Sequence, residues 1–114
     1  MIHILDEITL PPERIPEVLK LLREYHLPSH SARGLTLVGE WVCPPVAMPG
    51  KSNVLWLSWQ VDDAPAWYRM RATTTPEAVE CWARIDALCE SRRRHVMVDA
   101  DAVLPVPLKA DHAA

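Results

Sequence analysis

The segment Asn53-Val54-Leu55-Trp56-Leu57-Ser58-Trp59-Gln60-Val61 constrains the fold more than any other. Its β-branched and aromatic content suits a strand, and it has no solvent face. Side chains alternate across a strand, so Trp56 and Trp59, three apart, point to opposite sides. Leu55, Leu57 and Val61 join Trp59, and Val54 joins Trp56. A strand apolar on both sides needs cover on both sides. A chain of 114 residues makes one domain, with one core and little left for a second layer of helices. The second cover is expected from a partner subunit.

The flanking sequence fills in the other elements. Ile2, Ile4, Ile8 and Leu10 share one face of a first strand, and Asp6 interrupts that face. Pro11-Pro12 ends the strand and opens a helix, where a missing N–H is harmless. Ile15, Val18, Leu19 and Leu22 recur at helical spacing, and the helix should stop near His26 because Pro28 disfavours helix just before it. Leu35 to Cys43 is expected as a second strand, with Leu35, Leu37, Trp41 and Cys43 on one side and Val38 and Val42 on the other. Pro49-Gly50 marks a turn, so the second strand and the two-sided strand form a hairpin. Asp62-Asp63 can cap a short helix from Ala64 to about Ala72. Thr75-Pro76-Glu77 starts a longer one, whose apolar stripe is expected to be Val79, Trp82, Ile85, Leu88 and Cys89. Arg92-Arg93-Arg94 would close this helix, where cations suit the dipole, and His95 to Leu104 would be the last strand.

Strand, helix, strand, strand, helix, strand is the ferredoxin-like βαββαβ order of an α+β domain, a four-stranded antiparallel sheet with helices on one face. The domain should span residues 1–104, with 105–114 a flexible Pro- and Ala-rich tail. The bare face of the sheet is most economically covered by the same face of a second copy across a two-fold axis, giving a homodimer.

Several segments together resemble the NIPSNAP-like family of dimeric α+β barrel proteins, over residues 2–104. They are Ile8-Thr9-Leu10-Pro11-Pro12, His26-Leu27-Pro28, Leu37-Val38-Gly39-Glu40-Trp41, Val54 to Trp59, Ala66-Trp67-Tyr68-Arg69-Met70-Arg71, and Thr75-Pro76-Glu77 to Trp82. The segment around Ala32-Arg33-Gly34 is shorter than in some relatives. The resemblance implies the fold and the dimer. Dimeric α+β barrels include cofactor-free monooxygenases, polyketide cyclases, isomerases, lyases, dehydratases and haem enzymes, and many NIPSNAP-like members have no assigned reaction.

In that architecture a pocket opens between the sheet and its helices. His26 and His30 could act as general acid or base, since imidazole titrates near neutrality; alternatively they are a helix-end residue and its surface neighbour. Their four-residue spacing resembles a metal pair, but Pro28 breaks the helix between them, so no metal is expected. Asp6 is either a base made reactive by burial or the partner of an arginine. Arg69 could hold a substrate carboxylate or enolate oxygen, or pair with Asp62 or Asp63. Trp41, Trp59 and Trp82 are divided between core and pocket, and Trp67 and Tyr68 could form a mobile pocket wall. Five Trp and no Phe favour a flat, apolar, ring-containing ligand.

Three function classes compete. The first is cofactor-independent acid–base chemistry, by an isomerase, lyase or cyclase, on a hydrophobic ring-containing carbonyl or lactone. The second is cofactor-free monooxygenation of a phenol. The third is a non-catalytic dimer that binds a ligand or protein. Only Gly34, Gly39 and Gly50 are available, too few for a loop that cradles phosphates, and no cofactor is expected. With a net charge of -3 and one short basic run, nucleic-acid binding lacks its basic face. No apolar run approaches a membrane span, and Asp6-Glu7 follows the first apolar residues where a signal peptide would continue. Cys81 and Cys89 lie about 12 Å apart along one helix and cannot bridge. Free thiols point to a reducing cytoplasm.

Overall fold

The computed structural model describes residues 1–26 and 33–104. Strand β1 (Ile2–Leu10) leads through a 3-10 turn (Pro12–Arg14) into α1 (Ile15–Leu21), and a wider π-helical turn (Leu22–His26) extends it. Strands β2 (Thr36–Cys43) and β3 (Asn53–Val61) follow, then α2 (Ala64–Ala72), α3 (Pro76–Leu88) and β4 (Ser91–Val98). The sheet order is β2-β3-β1-β4, antiparallel throughout. This is the ferredoxin-like α+β fold, with β1 and β3 central.

Both central strands are buried at every second residue. Ile4, Ile8, Leu10, Leu55, Leu57 and Trp59 pack under Val18, Leu22, Cys81 and Ile85 from the helices. Each large aliphatic side chain fully buried there contributes about 1.5–3 kcal/mol. The helices start where capping residues stand. Asp63 Oδ1 accepts from Ala66 N at 2.8 Å, and Thr75 Oγ1 from Ala78 N at 3.2 Å, in each case satisfying an N–H that the first turn leaves open. In the β2–β3 loop, Lys51 N bonds Met48 O at 3.1 Å while Gly50 adopts φ 70°, the left-handed conformation that favours glycine.

Three expectations are corrected. First, β2 does not keep one parity. Its register shifts between Leu37 and Gly39, and a bulge of one residue turns everything after it to the other side. Leu37 lies opposite Trp59 on the helix side, whereas Trp41 lies opposite Trp56 on the bare side. A side chain at Gly39 would collide with the Trp41 ring, so the glycine is the floor on which that ring rests. Second, α3 ends at Leu88, and Arg92-Arg93-Arg94 belong to β4, which stops at Val98 rather than Leu104. Arg92 and Arg94 sit opposite Ile8 and Asp6, so both stand on the helix side and are neutralised there by carboxylates. Third, α3 buries Ala78, Cys81 and Ile85, with Trp82, Leu88 and Cys89 packed partly against the core, while Val79 is 58% exposed. The stripe is one residue out of step at its start, and Cys81 Sγ reaches Leu21 O of α1 at 3.6 Å. The expected tail, residues 105–114, lies outside the described residues.

Candidate active site

A cavity of about 720 Å³ opens between α2, α3 and the helix side of the sheet. Trp67 and Met70 come from α2, Trp82 and Asp86 from α3, and Arg92, Arg94 and Val96 from β4. Arg33 and Leu35, just before β2, complete one side. The volume suits a ligand of two or three rings.

Its electrostatics are set by ion pairs across elements. Arg92 donates to Asp86 from Nε at 2.7 Å and from Nη2 at 3.1 Å; this bonding raises the Arg92 pKa against the opposing effect of burial. Arg94 donates to Asp6 from Nε at 2.7 Å and Nη2 at 3.0 Å. Trp59 Nε1 adds a third donor to Asp6 at 2.9 Å. The Trp82 ring meets both cations, Arg92 at 4.5 Å and Arg94 at 5.4 Å from its centroid, and Arg71 lies 5.7 Å from the Trp67 ring. Such contacts fix the indoles and leave part of each guanidinium toward the cavity. Arg33 Nη2 reaches Met70 O at 3.0 Å, Met70 Sδ at 3.3 Å and Thr74 Oγ1 at 3.4 Å. Burial, and then the like charge of Arg94, push the Arg33 pKa down.

The residues singled out from sequence are distributed unevenly. Trp67 and Trp82 line the cavity. Trp59 is fully buried beneath it and touches it through Asp6 and Arg94. Trp41 is on the opposite face of the sheet, for the bulge reason given above. Tyr68 is 67% exposed, and neither it nor the exposed Arg69 lines the cavity, because α2 turns Trp67 and Met70 inward instead. Asp6 is fully buried with both oxygens occupied by three donors, the geometry of a carboxylate that orients Arg94 rather than one that faces a substrate. His26 is the last residue of the π-helical turn; its side chain and the whole of His30 lie outside the described residues. Among the described residues no group of His, Cys, Asp and Glu is arranged to hold a metal ion.

Sequence reasoning missed Arg33 and misplaced Arg94. The break that Asp6 makes in the apolar face of β1 signals that a cation must stand opposite on a neighbouring strand, but it does not say which. Nothing in the sequence singles out Arg33.

No protein-family model matches the chain, and no curated protein does. Solved structures do. An uncharacterized NIPSNAP domain protein from Burkholderia xenovorans superposes with a TM-score of 0.65 at 20% identity, over 92% of this chain and 100% of that one. The fold is that of the NIPSNAP domain. A NIPSNAP family protein of unknown function from Agrobacterium tumefaciens gives 0.63 at 19% identity, over 85% and 86% of the two chains. An antibiotic biosynthesis monooxygenase gives 0.57 at 19%, over 91% of this chain and 100% of that one. No helix among the described residues is long and apolar enough to cross a membrane.

Proposed function

We propose that this NIPSNAP-fold chain is a homodimeric cytoplasmic enzyme that acts without a cofactor on a hydrophobic, ring-containing carbonyl or lactone. The observation that carries the reading is the cavity itself, with indole walls from Trp67 and Trp82 and guanidinium groups from Arg33 and Arg94 at one site. Aromatic walls hold a ring by stacking, and fixed cations stabilise negative charge that develops on a carbonyl oxygen. A histidine, His26 or His30, removes a proton from the carbon next to the carbonyl. The C–H electron pair moves into an enolate whose oxygen faces Arg94. Returning a proton at another carbon completes an isomerisation, and breaking the next bond instead gives a lyase. Asp6 keeps Arg94 in place throughout.

The homodimer forms through the bare face of the sheet. Leu5, Val54 and Trp56 are half-buried there, Trp41 is 55% exposed and Met97 43%, apolar side chains that cross the bare face from β2 to β4. Three free thiols, Cys43, Cys81 and Cys89, suit a reducing compartment.

The fold likeness to an antibiotic biosynthesis monooxygenase favours a second reading. There the ligand is a phenolate held by the same cations, and it reacts with oxygen so that phenol and O2 become quinone and water. Incubation with a panel of aromatic β-keto acids, lactones and hydroxylated naphthalenes, followed by absorbance and an oxygen electrode, separates the readings. Conversion without oxygen uptake, lost in Trp82→Ala and in the histidine variant that supplies the base, supports the first. One oxygen consumed per product supports the second. Binding without turnover of any compound leaves a ligand-binding dimer.

A further inference from the structure

The arginines around the cavity are not equivalent. Arg92 commits two bonds to Asp86, and Arg94 two to Asp6. Arg33 meets no carboxylate among the described residues; its Nη2 is spread over neutral acceptors on Met70 and Thr74. Holding the last turn of α2 accounts for the bond to Met70 O. It leaves Nε, which is buried and has no hydrogen-bond partner among the described residues. Buried polar atoms are nearly always paired, and an orphaned donor calls for an explanation. Burial first, and then the like charge of Arg94 facing the same space, weaken the hold of Arg33 on its proton. Among the described residues four arginines line the cavity, Arg33, Arg71, Arg92 and Arg94, against Asp86 at its wall and Asp6 behind it. Arg33 and Arg71 are left without a carboxylate; Arg71 is exposed to water, whereas Arg33 is part-buried, and it is there that an anion is favoured.

We infer that the ligand of this cavity carries a carboxylate in addition to its apolar ring, and that Arg33 is the residue that binds the carboxylate. The inference rests on the ring-binding reading above and adds the ligand's charge to it. Nε is shielded from water as the side chain stands, so binding includes a turn of the guanidinium. The turn gives up the 3.4 Å contact with Thr74 Oγ1, the longest of the three, and gains a charge-assisted bond. The carboxylate also separates Arg33 from Arg94 electrostatically. The ring then lies toward Trp82 and Trp67, with its reacting carbonyl nearer Arg94.

Calorimetric titration of the full-length protein with 2-naphthoate and with 2-naphthamide, its neutral analogue, tests this. The acid is expected to bind at least tenfold tighter. Arg33→Gln is expected to weaken naphthoate about 10- to 100-fold, the range of one charge-assisted hydrogen bond, and to leave naphthamide unchanged. Arg14→Gln removes the same charge from an exposed turn outside the cavity and is expected to keep the preference. Equal binding of acid and amide by the unaltered protein overturns the carboxylate while the ring-binding cavity stands. Binding of neither overturns both. A preference that survives in Arg33→Gln overturns the assignment to Arg33. The acid-against-amide comparison needs no variant. If Arg33→Gln does not fold, Arg33→Lys keeps the charge without the Nε–H; a tenfold loss of preference supports the assignment, and full retention overturns it.

Discussion

Removing either partner of the Asp6–Arg94 pair should destabilise the fold, and by unequal amounts. Asp6 is fully buried, and its two oxygens receive Arg94 Nε at 2.7 Å, Arg94 Nη2 at 3.0 Å and Trp59 Nε1 at 2.9 Å. Breaking a buried pair by deleting one member costs about 3–5 kcal/mol, because the other charge is left uncompensated. The two members differ in what is left behind. Asp6→Ala frees a guanidinium whose side chain is 28% exposed, so it can turn to water, and the cost falls near 3 kcal/mol. Arg94→Met strands a carboxylate with no exposure, and the cost rises toward 5 kcal/mol. Replacing both, as Asp6→Leu with Arg94→Met, removes both charges from the interior and should return stability to within about 1 kcal/mol of the starting protein. Urea unfolding followed by tryptophan fluorescence, at one protein concentration because self-association would make stability depend on it, measures all of these. The reasoning is refuted if either single variant costs less than about 1 kcal/mol, or if the double variant is worse than both singles.

Other outcomes follow from the same structure. Thr75→Ala and Asp63→Ala each remove a side-chain acceptor from a first helical turn and should each cost about 1 kcal/mol in urea midpoint analysis; no change in either would show the cap is idle. Gly39→Val drives a side chain into the Trp41 ring and, by displacing it from the bare sheet face, should weaken self-association at least tenfold in sedimentation analysis, as estimated from the loss of one aromatic anchor. Burial raises the Cys81 pKa to about 11 from an ordinary 9.0. Between those values the unfolded chain has lost the thiol proton and the folded chain retains it, so stability should fall as pH rises from about 9 to about 11. That alkaline slope should be shallower in Cys81→Ala, and an identical slope would exclude Cys81 as its source. With a thiol reagent at neutral pH, Cys43, which is exposed, should react in the folded protein, and Cys81 only after unfolding.

The parts of this fold that were legible in the sequence are those fixed by local chemistry. β1 and β3 are each an unbroken extended run of nine residues whose burial alternates throughout, so parity alone assigns their two faces and separates Trp59 from Trp56. Asp63 and Thr75 announce their helices because a capping oxygen acts within its own turn. Errors arose where a distant partner decides. One inserted residue before Gly39 moved Trp41 to the other face, and an isolated glycine inside a strand was the available sign of it. Arg92 and Arg94 resemble a helix end by charge alone; only the register with β1 puts Arg94 opposite Asp6, and only the packing of α3 on the sheet brings Asp86 to Arg92. The candidate site suffered most for this reason. Its aromatic half, Trp67 and Trp82, was legible as large apolar surface on helices. Its cationic half depends on Arg33 and Arg94 meeting from residues 61 positions apart, which no spacing rule encodes.

Whether the cavity holds an aromatic carboxylate is decided by a crystal structure of the protein grown with 2-naphthoate. Density for the ring is expected between Trp67 and Trp82, with the carboxylate within hydrogen-bond distance of Arg33. Density on the bare sheet face, or a cavity closed by rotation of the Trp82 ring with no ligand bound, would contradict it.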